Sequence, residues 1–166
     1  MKKNPPELSV IQSRLRLENG VLFWINSGHG RKAGQIAGSK NKEGYIQLGF
    51  DRHTLLAHRV VWLLTYGEWP PEMIDHINCN KTDNRPCNLR LADNSANQAN
   101  KPIRSGKSFK GITFHKKTGK FQAQCGGVYI GLFRTKAEAA AAYDQQALSA
   151  YGEYARLNFH PIQVHT

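Results

Sequence analysis

Between Asp93 and Glu138 this chain carries no acidic residue, while nine lysines and arginines fall from Lys101 to Lys136. Inside that run lies KPIRSGKS, residues 101–108, with a proline, a glycine, two serines and three basic side chains. Such a stretch has too little apolar surface to enter a core and reads as a basic linker. It constrains the fold more than any other feature, because it divides 166 residues into two small modules that must each bury their own core. The expected division is 1–100, a linker at 101–108, a second module at 109–159 and a tail at 160–166. Next to a nucleic acid, a linker of this charge would lie along the phosphate backbone.

The first module opens with short β-prone pieces. Leu22-Phe23-Trp24-Ile25 is one, and the apolar alternation of residues 45–50 is another, with Asp51-Arg52 as a turn. Glycines punctuate the stretch between them. Residues 55–66 are helical by composition, with Thr54 as the expected N-cap and Gly67 as the stop. The sequence EWPP is a rigid connector. The Asn, Asp, Lys and Pro content of residues 75–97 favours loops and short strands. Asp93-Asn94-Ser95 supplies an N-cap for a short helix that carries Asn97 and ends before Pro102.

The second module reads as three strands and a helix. Strands are expected over 110–115, 120–125 and 128–133, with a turn at Lys116-Lys117-Thr118-Gly119 and a tight turn at Gly126-Gly127. Thr135 with Glu138 forms a capping box for a helix stopped by Gly152. Ala139, Ala142, Tyr143 and Ala147 share one face of that helix and would pack on the sheet.

A net charge of +11 favours polyanionic partners. Apolar runs such as Val60-Val61-Trp62-Leu63-Leu64 are far too short to span a bilayer, so no membrane role is expected. The opening MKKNPPELSV has no apolar core of a signal peptide. Three cysteines, an odd number without a C-x-x-C pair, suit a reducing compartment and a cytoplasmic location.

The chemistry is concentrated in DHINCNKTDNRPCNLRLADNSANQAN, which begins at Asp75. Phosphodiester hydrolysis needs a base for the attacking water and a cation for the charge on the leaving oxygen. A neutral histidine, His76, can be that base near physiological pH. Asp75 offers an anionic ligand and Asn97 a neutral amide oxygen, enough for one Mg²⁺ or Mn²⁺ that keeps water and phosphate oxygens in its remaining positions. On a strand, His76 would point away from Asp75. Asn88 could hold the imidazole in one orientation. The same residues also suit ordinary turns and helix caps. His58 could be a ligand or a phosphate contact, although a histidine in an apolar helix is more often packed in the core. Arg85 and Arg90 could meet phosphates or be surface charges. Cys79 and Cys87 read as incidental.

The runs AHRVVWLLTYGEWP and DHINCNKTDNRPCNLRLADNSANQANK resemble the HNH endonuclease family, in particular phage-type and homing enzymes with a ββα-metal active site. That resemblance implies His76 as general base, Asp75 and Asn97 as ligands of one divalent ion, and Asn88 as the residue orienting the base. The last ligand position is histidine in some members and asparagine here. The implied fold is α+β: a ββα-metal nuclease module followed by a three-stranded antiparallel sheet packed on one helix.

In the second module Lys110, His115, Lys116, Lys117 and Lys120 cluster around the first hairpin, and one face of a sheet can enter the major groove. Gln122 and Gln124 could read adenine edges there, and Tyr129 could pack on sugar or base; otherwise the face is simply basic and solvated. The sequence KGITFHKKTGKFQAQ with VYIGLFRTKAEAAAAYDQQALSAYGEYARLNF resembles the plant ethylene-response-factor, or apetala-type, DNA-binding domain. The positions matching that family's contacts are Lys110, Thr113, His115, Gln124 and Tyr129. The chain departs from the plant residues at several of them. The expected activity is metal-dependent cleavage of double-stranded DNA by a monomer or weak dimer, site-specific and of nicking or homing type. For a phage-encoded protein the place of action would be the host cytoplasm. The alternative is a DNA-binding regulator or architectural protein without catalysis.

Overall fold

A computed structural model describes residues 4–28 and 30–159, and the expected tail at 160–166 lies outside the described residues. The chain forms two compact units, Met1–Ala92 and Asp93–Thr166, each a mixture of helix and sheet in an α+β arrangement.

In the first unit, helix α1 (Leu8–Gln12) leads into an antiparallel hairpin of β1 (Leu15–Glu18) and β2 (Val21–Trp24). Asn19 and Gly20 turn it with φ of 48° and 81°, the left-handed pair that a two-residue hairpin loop requires. Gly20 has a second reason to lack a side chain. A Cβ there would sit 2.4 Å from the Arg85 nitrogen and 2.6 Å from the Asn84 carbonyl carbon, so the hairpin tip bears directly on that backbone. A three-stranded sheet follows in the order β3 (Ser39–Lys40), β4 (Ile46–Phe50), β5 (His53–Leu56). Helix α2 (Ala57–Tyr66) then buries Ala57, His58, Val60, Val61 and Leu63. Its end is Gly67, whose N–H returns to the Leu63 carbonyl at 2.8 Å.

The start of α2 differs from the sequence reading. Thr54 is not its cap: Thr54, Leu55 and Leu56 pair with Gly49, Leu48 and Gln47, and the ladder keeps them extended until Ala57. Strands β6 (Met73–His76) and β7 (Leu89–Ala92) form a two-stranded antiparallel pair, closed by a long loop that ends in a 3₁₀ turn, Pro86–Asn88. The core draws on all these pieces, with Ile11, Leu15, Leu22, Trp24, Leu48, Phe50, Val60, Val61 and Leu63 among its buried members. Each such aliphatic or aromatic side chain contributes about 1.5–3 kcal/mol by leaving water.

The second unit begins earlier than residue 109. Helix α3 (Asn94–Asn100), capped by Asp93 accepting from the Ala96 N–H at 2.7 Å, belongs to it and not to the first unit. The reason lies at the C-terminal end of α3. The Lys110 ammonium donates to the carbonyls of Ala99 and, at 2.9 Å, Lys101, and the Arg156 N–H reaches the Ala99 carbonyl at 3.2 Å. A cation on the open carbonyls of a helix end is favourable both as a hydrogen bond and against the helix dipole. Strands β8 (Ile112–His115), β9 (Lys120–Cys125) and β10 (Val128–Phe133) form an antiparallel sheet in the order β10-β9-β8. Helix α4 (Lys136–Tyr151) starts with the Thr135/Glu138 capping box. Its buried residues are Ala139, Ala140, Tyr143, Asp144 and Ala147, so small side chains let the helix lie close to the sheet. The buried Asp144 carboxylate accepts the N–H groups of Asn158 and Phe159 at 2.8 and 2.9 Å, which fastens the closing Leu-Asn-Phe onto α4. The Asn158 amide in turn accepts the Lys110 N–H at 2.6 Å. Among the described residues no helix is long and apolar enough to cross a membrane.

Gly111 concentrates two demands, a φ of 74° and a Cβ position 2.3 Å from the Tyr143 ring. Gly111→Ala is expected to destabilise the second unit by about 2–4 kcal/mol, combining left-handed strain with overpacking. Denaturant unfolding followed by tyrosine fluorescence checks this, and an unchanged midpoint would contradict it.

Candidate active site and nucleic-acid face

Asp75 and His76 are consecutive on β6, so the pleat sends their side chains to opposite sides. Asp75 lies across from Arg90 in the β6–β7 register. The Arg90 Nε and Nη2 both donate to Asp75 Oδ2, at 3.0 and 2.9 Å. The pair is buried, with side-chain exposures of 6% for Asp75 and 13% for Arg90. Removing one partner of such a pair leaves a buried charge and typically costs about 3–5 kcal/mol. Arg90, left open between phosphate contact and surface charge in the sequence, is thus held on the Asp75 carboxylate.

His76 turns into a small polar and aromatic chamber. Its ring centroid is 5.2 Å from that of His58, edge to face, and 6.0 Å from that of Tyr45. The Lys81 ammonium stands 4.4 Å from the Tyr45 centroid. The His76 Nε2 is 2.9 Å from Asn84 Oδ1, and both residues are buried. The amide oxygen can only accept, so Nε2 carries the proton and Nδ1 is the basic nitrogen of the ring.

Asn88 does something other than the expected direct contact with the imidazole. Its Nδ2 donates to Asn78 Oδ1 at 3.0 Å and to the Asp83 carbonyl at 2.8 Å, while its Oδ1 accepts the Asn78 N–H at 3.0 Å. Both amide hydrogens are spent on the loop. The Asn78 Nδ2 reaches Asp83 Oδ2 at 2.8 Å, and the Arg85 guanidinium clamps the same carboxylate at 2.7 and 2.8 Å. Above all, the Arg85 hydrogen bond holds the Asp83 carboxyl well below the usual carboxylate range. Asn88 therefore knots residues 78–88, and the knot presents Asn84 to His76. Sequence reasoning missed Asn84. The one available signal was its place in Asp-Asn-Arg, inside a loop whose closure could not be read from spacing.

His58 is 5% exposed and its Nδ1 is buried without a hydrogen-bond partner. Burial first, then the nearby His76 and Arg59 charges, pushes its pKa down to about 3. It stays a neutral, packed ring. Arg59, next on the helix, donates to the carbonyls of Pro70 and Glu72 at 2.9 and 3.1 Å and thereby anchors the connector ahead of β6. Among the described residues no three His, Cys, Asp or Glu side chains gather into a metal-binding cluster.

In the second unit the strand register settles which residues share a face. Thr113 pairs with Gln122, His115 with Lys120 and Tyr129 with Gln124. These six stand on the side away from α4, because Ile112, Ala123 and Cys125 occupy the other side. Lys116 and Lys117 are in the turn joining β8 to β9. The His115 Nδ1 lies 2.9 Å from the Thr118 hydroxyl, and Tyr129 is 58% exposed. Lys110 does not join this face through its ammonium, which is committed to the end of α3. Asn97 is a half-buried residue of α3.

Two outcomes are expected from this geometry. Because the folded pKa of His58 lies below its unfolded value near 6.5, the unfolded chain binds the extra proton as pH falls from 6.5 towards 3. Stability then drops over that window by up to about 1.4 kcal/mol per pH unit. His58→Leu removes this component, so urea unfolding at pH 7 and pH 5 should show a smaller loss for the variant than for the parent. In Asn84→Ala the acceptor for Nε2–H is gone. Nitrogen-15 spectra of the imidazole should pass from one tautomer to a mixture, with about 1–3 kcal/mol of stability lost, whereas Asn84→Asp keeps the single tautomer.

Comparison with known proteins places these observations. Residues 55–99 match the family model described as HNH endonuclease. An uncharacterized HNH endonuclease of Acanthamoeba polyphaga mimivirus is 31% identical over 125 residues, which is 70% of this chain and 64% of that protein. APETALA2-like protein 2 of rice, in both the indica and japonica subspecies, is 41% identical over 64 residues, 35% of this chain. The chain spans 14% of the length of the rice proteins. No solved structure matches it. Asp75, His76, Asn84 and Asn88 all fall inside the segment that matches the HNH endonuclease model.

Proposed function

We propose that the chain is a metal-dependent DNA endonuclease, of the site-specific nicking or homing type, whose second unit binds double-stranded DNA. The observation that carries the reading is the buried His76 imidazole, its Nε2 2.9 Å from Asn84 Oδ1, next to a buried carboxylate on the same strand.

The chemistry follows from the residues. His76 Nδ1 takes the proton of the attacking water, and Asn84 keeps the ring from rotating as it becomes cationic. Asp75 supplies a hard anionic oxygen from the first unit; Asn97, which the family resemblance assigns as second ligand, belongs to the second unit. Oxygen donors of this kind, few in number, fit Mg²⁺ or Mn²⁺, which fill their other positions with water and phosphate oxygens. When bound, one such ion would neutralise charge on the phosphorus and the leaving oxygen. Arg90 balances Asp75 from the neighbouring strand.

On the second unit, Thr113, His115, Lys120, Gln122, Gln124 and Tyr129 form a polar and basic face with an aromatic contact, and Lys116 and Lys117 extend it at the hairpin turn. A sheet face of this composition suits the major groove, with glutamine amides able to pair with adenine edges. The 41% identity to the APETALA2-like proteins supports this reading.

Plasmid relaxation tests the proposal. The intact chain is expected to nick supercoiled DNA with Mg²⁺ or Mn²⁺ and not with EDTA. His76→Ala should lose at least 100-fold in rate, the usual scale of a general base, while duplex affinity stays within about twofold. Full activity in His76→Ala would remove His76 as the base. Binding without relaxation by the intact chain would leave a DNA-binding protein and no nuclease.

A further inference from the structure

The first unit has a charged surface that the site above does not use. Arg14, Arg31, Arg52 and His53 line one open cleft together with Phe50 and Asp51. None of Asp75, His76, Asn84 or Asn88 lines it.

Two of its guanidinium groups are set in place by aromatic rings. Trp24 and Phe50 stack with an interplanar angle of 10° and centroids 6.3 Å apart. Arg31 lies 4.0 Å from the Trp24 centroid, and Arg14 lies 5.4 Å from that of Phe50. Stacking on a ring orients a guanidinium without neutralising it. Arg14 is paired with Asp51 at 2.5 Å, which uses the single acid of the cleft. The Arg31 Nε is buried and has no hydrogen-bond partner, a donor aimed at no acceptor of the protein. That donor is therefore not committed to an acceptor within the protein, and the Arg31 guanidinium keeps its charge. Arg52 is exposed at the β4–β5 turn, where it holds a φ of 65° that non-glycine residues rarely adopt. That strained turn delivers the third guanidinium to the cleft.

We infer that this cleft is a phosphate anchor for the sugar–phosphate backbone of duplex DNA, separate from both the catalytic strand and the sheet face of the second unit. Fixed guanidinium forks pair well with phosphate oxygens. The excess of three arginines over one aspartate sets the sign. The inference rests on the proposed DNA-cleaving function for its partner.

The test uses the full chain in EDTA, so that cleavage plays no part. Affinity for a duplex oligonucleotide is measured by fluorescence anisotropy across a series of NaCl concentrations. Arg31→Gln with Arg52→Gln should make the slope of log affinity against log salt shallower by roughly 1.8, about 0.9 for each lost phosphate contact. Arg31→Lys with Arg52→Lys should keep most of the slope. Inorganic phosphate added to the unbound parent chain should shift the Arg31 Nε–H resonance. If the double glutamine variant melts early, Arg52→Gln alone, at an exposed turn, carries the test with a change of about 0.9. A slope equal to the parent's overturns the inference, as does a phosphate shift at Arg31 without any change in the DNA slope. Failure of plasmid relaxation together with a shallower slope would sink the nuclease reading and leave the anchor standing.

Discussion

The Asn88 side chain is the constraint on which the first unit's chemistry depends. β6 and β7 pair over only four residues each, and the loop between them must return the chain without losing register. Asn88 does this with three hydrogen bonds, two to Asn78 and one to the Asp83 carbonyl. Because Asn88 is buried, each lost bond would leave a polar group without water, at about 1–3 kcal/mol. Two consequences share that knot. Asp75 meets Arg90 across the strands, and Asn84 is delivered to His76. The hairpin tip at Gly20 closes the arrangement from outside, since its backbone approaches Asn84 and Arg85 more closely than any side chain would permit.

The surroundings of His76 divide labour among similar residues. His58 is kept neutral above all by burial, with His76 and Arg59 adding to it, so it packs rather than titrates in the physiological range. Asn84 fixes the tautomer and Asn88 fixes Asn84. Arg59 and Arg90 are spent on backbone carbonyls and on Asp75, which leaves other arginines as the exposed cations. The second unit repeats the pattern at Lys110. This lysine sits beside a basic hairpin, yet its ammonium is drawn to the open carbonyls of α3, because a helix end offers several acceptors at once.

Elements with strong local signals were legible. The capping box of α4, the strands on either side of Gly126-Gly127, the Asp93 cap and the Gly67 stop all rest on interactions within a few residues, and each stands where the sequence places it. The Thr54 cap failed for the opposite reason. A threonine ahead of an apolar run is a sound local signal, but the partner strand, remote from the helix, holds it extended. The Asn19-Gly20 turn is a local signal of the same kind, an Asn-Gly pair at a two-residue hairpin loop. The boundary at Ala92/Asp93 could not be read, because the bonds that assign α3 to the second unit come from Lys110 and Arg156.

The sequence by itself determined which side chains are available for chemistry: a carboxylate and an imidazole made adjacent by the chain, asparagines at set intervals after them, and a basic module behind an acid-free linker. The alternation of a strand already sends Asp75 and His76 to opposite sides. Only the tertiary structure decided who meets whom. It gave the imidazole to Asn84 rather than to Asn88, the Asp75 carboxylate to Arg90, and the Lys110 ammonium to a helix end. Identity and spacing are carried along the chain, whereas a hydrogen bond goes to whichever acceptor the folded backbone brings within about 3 Å, and that depends on every loop closed in between.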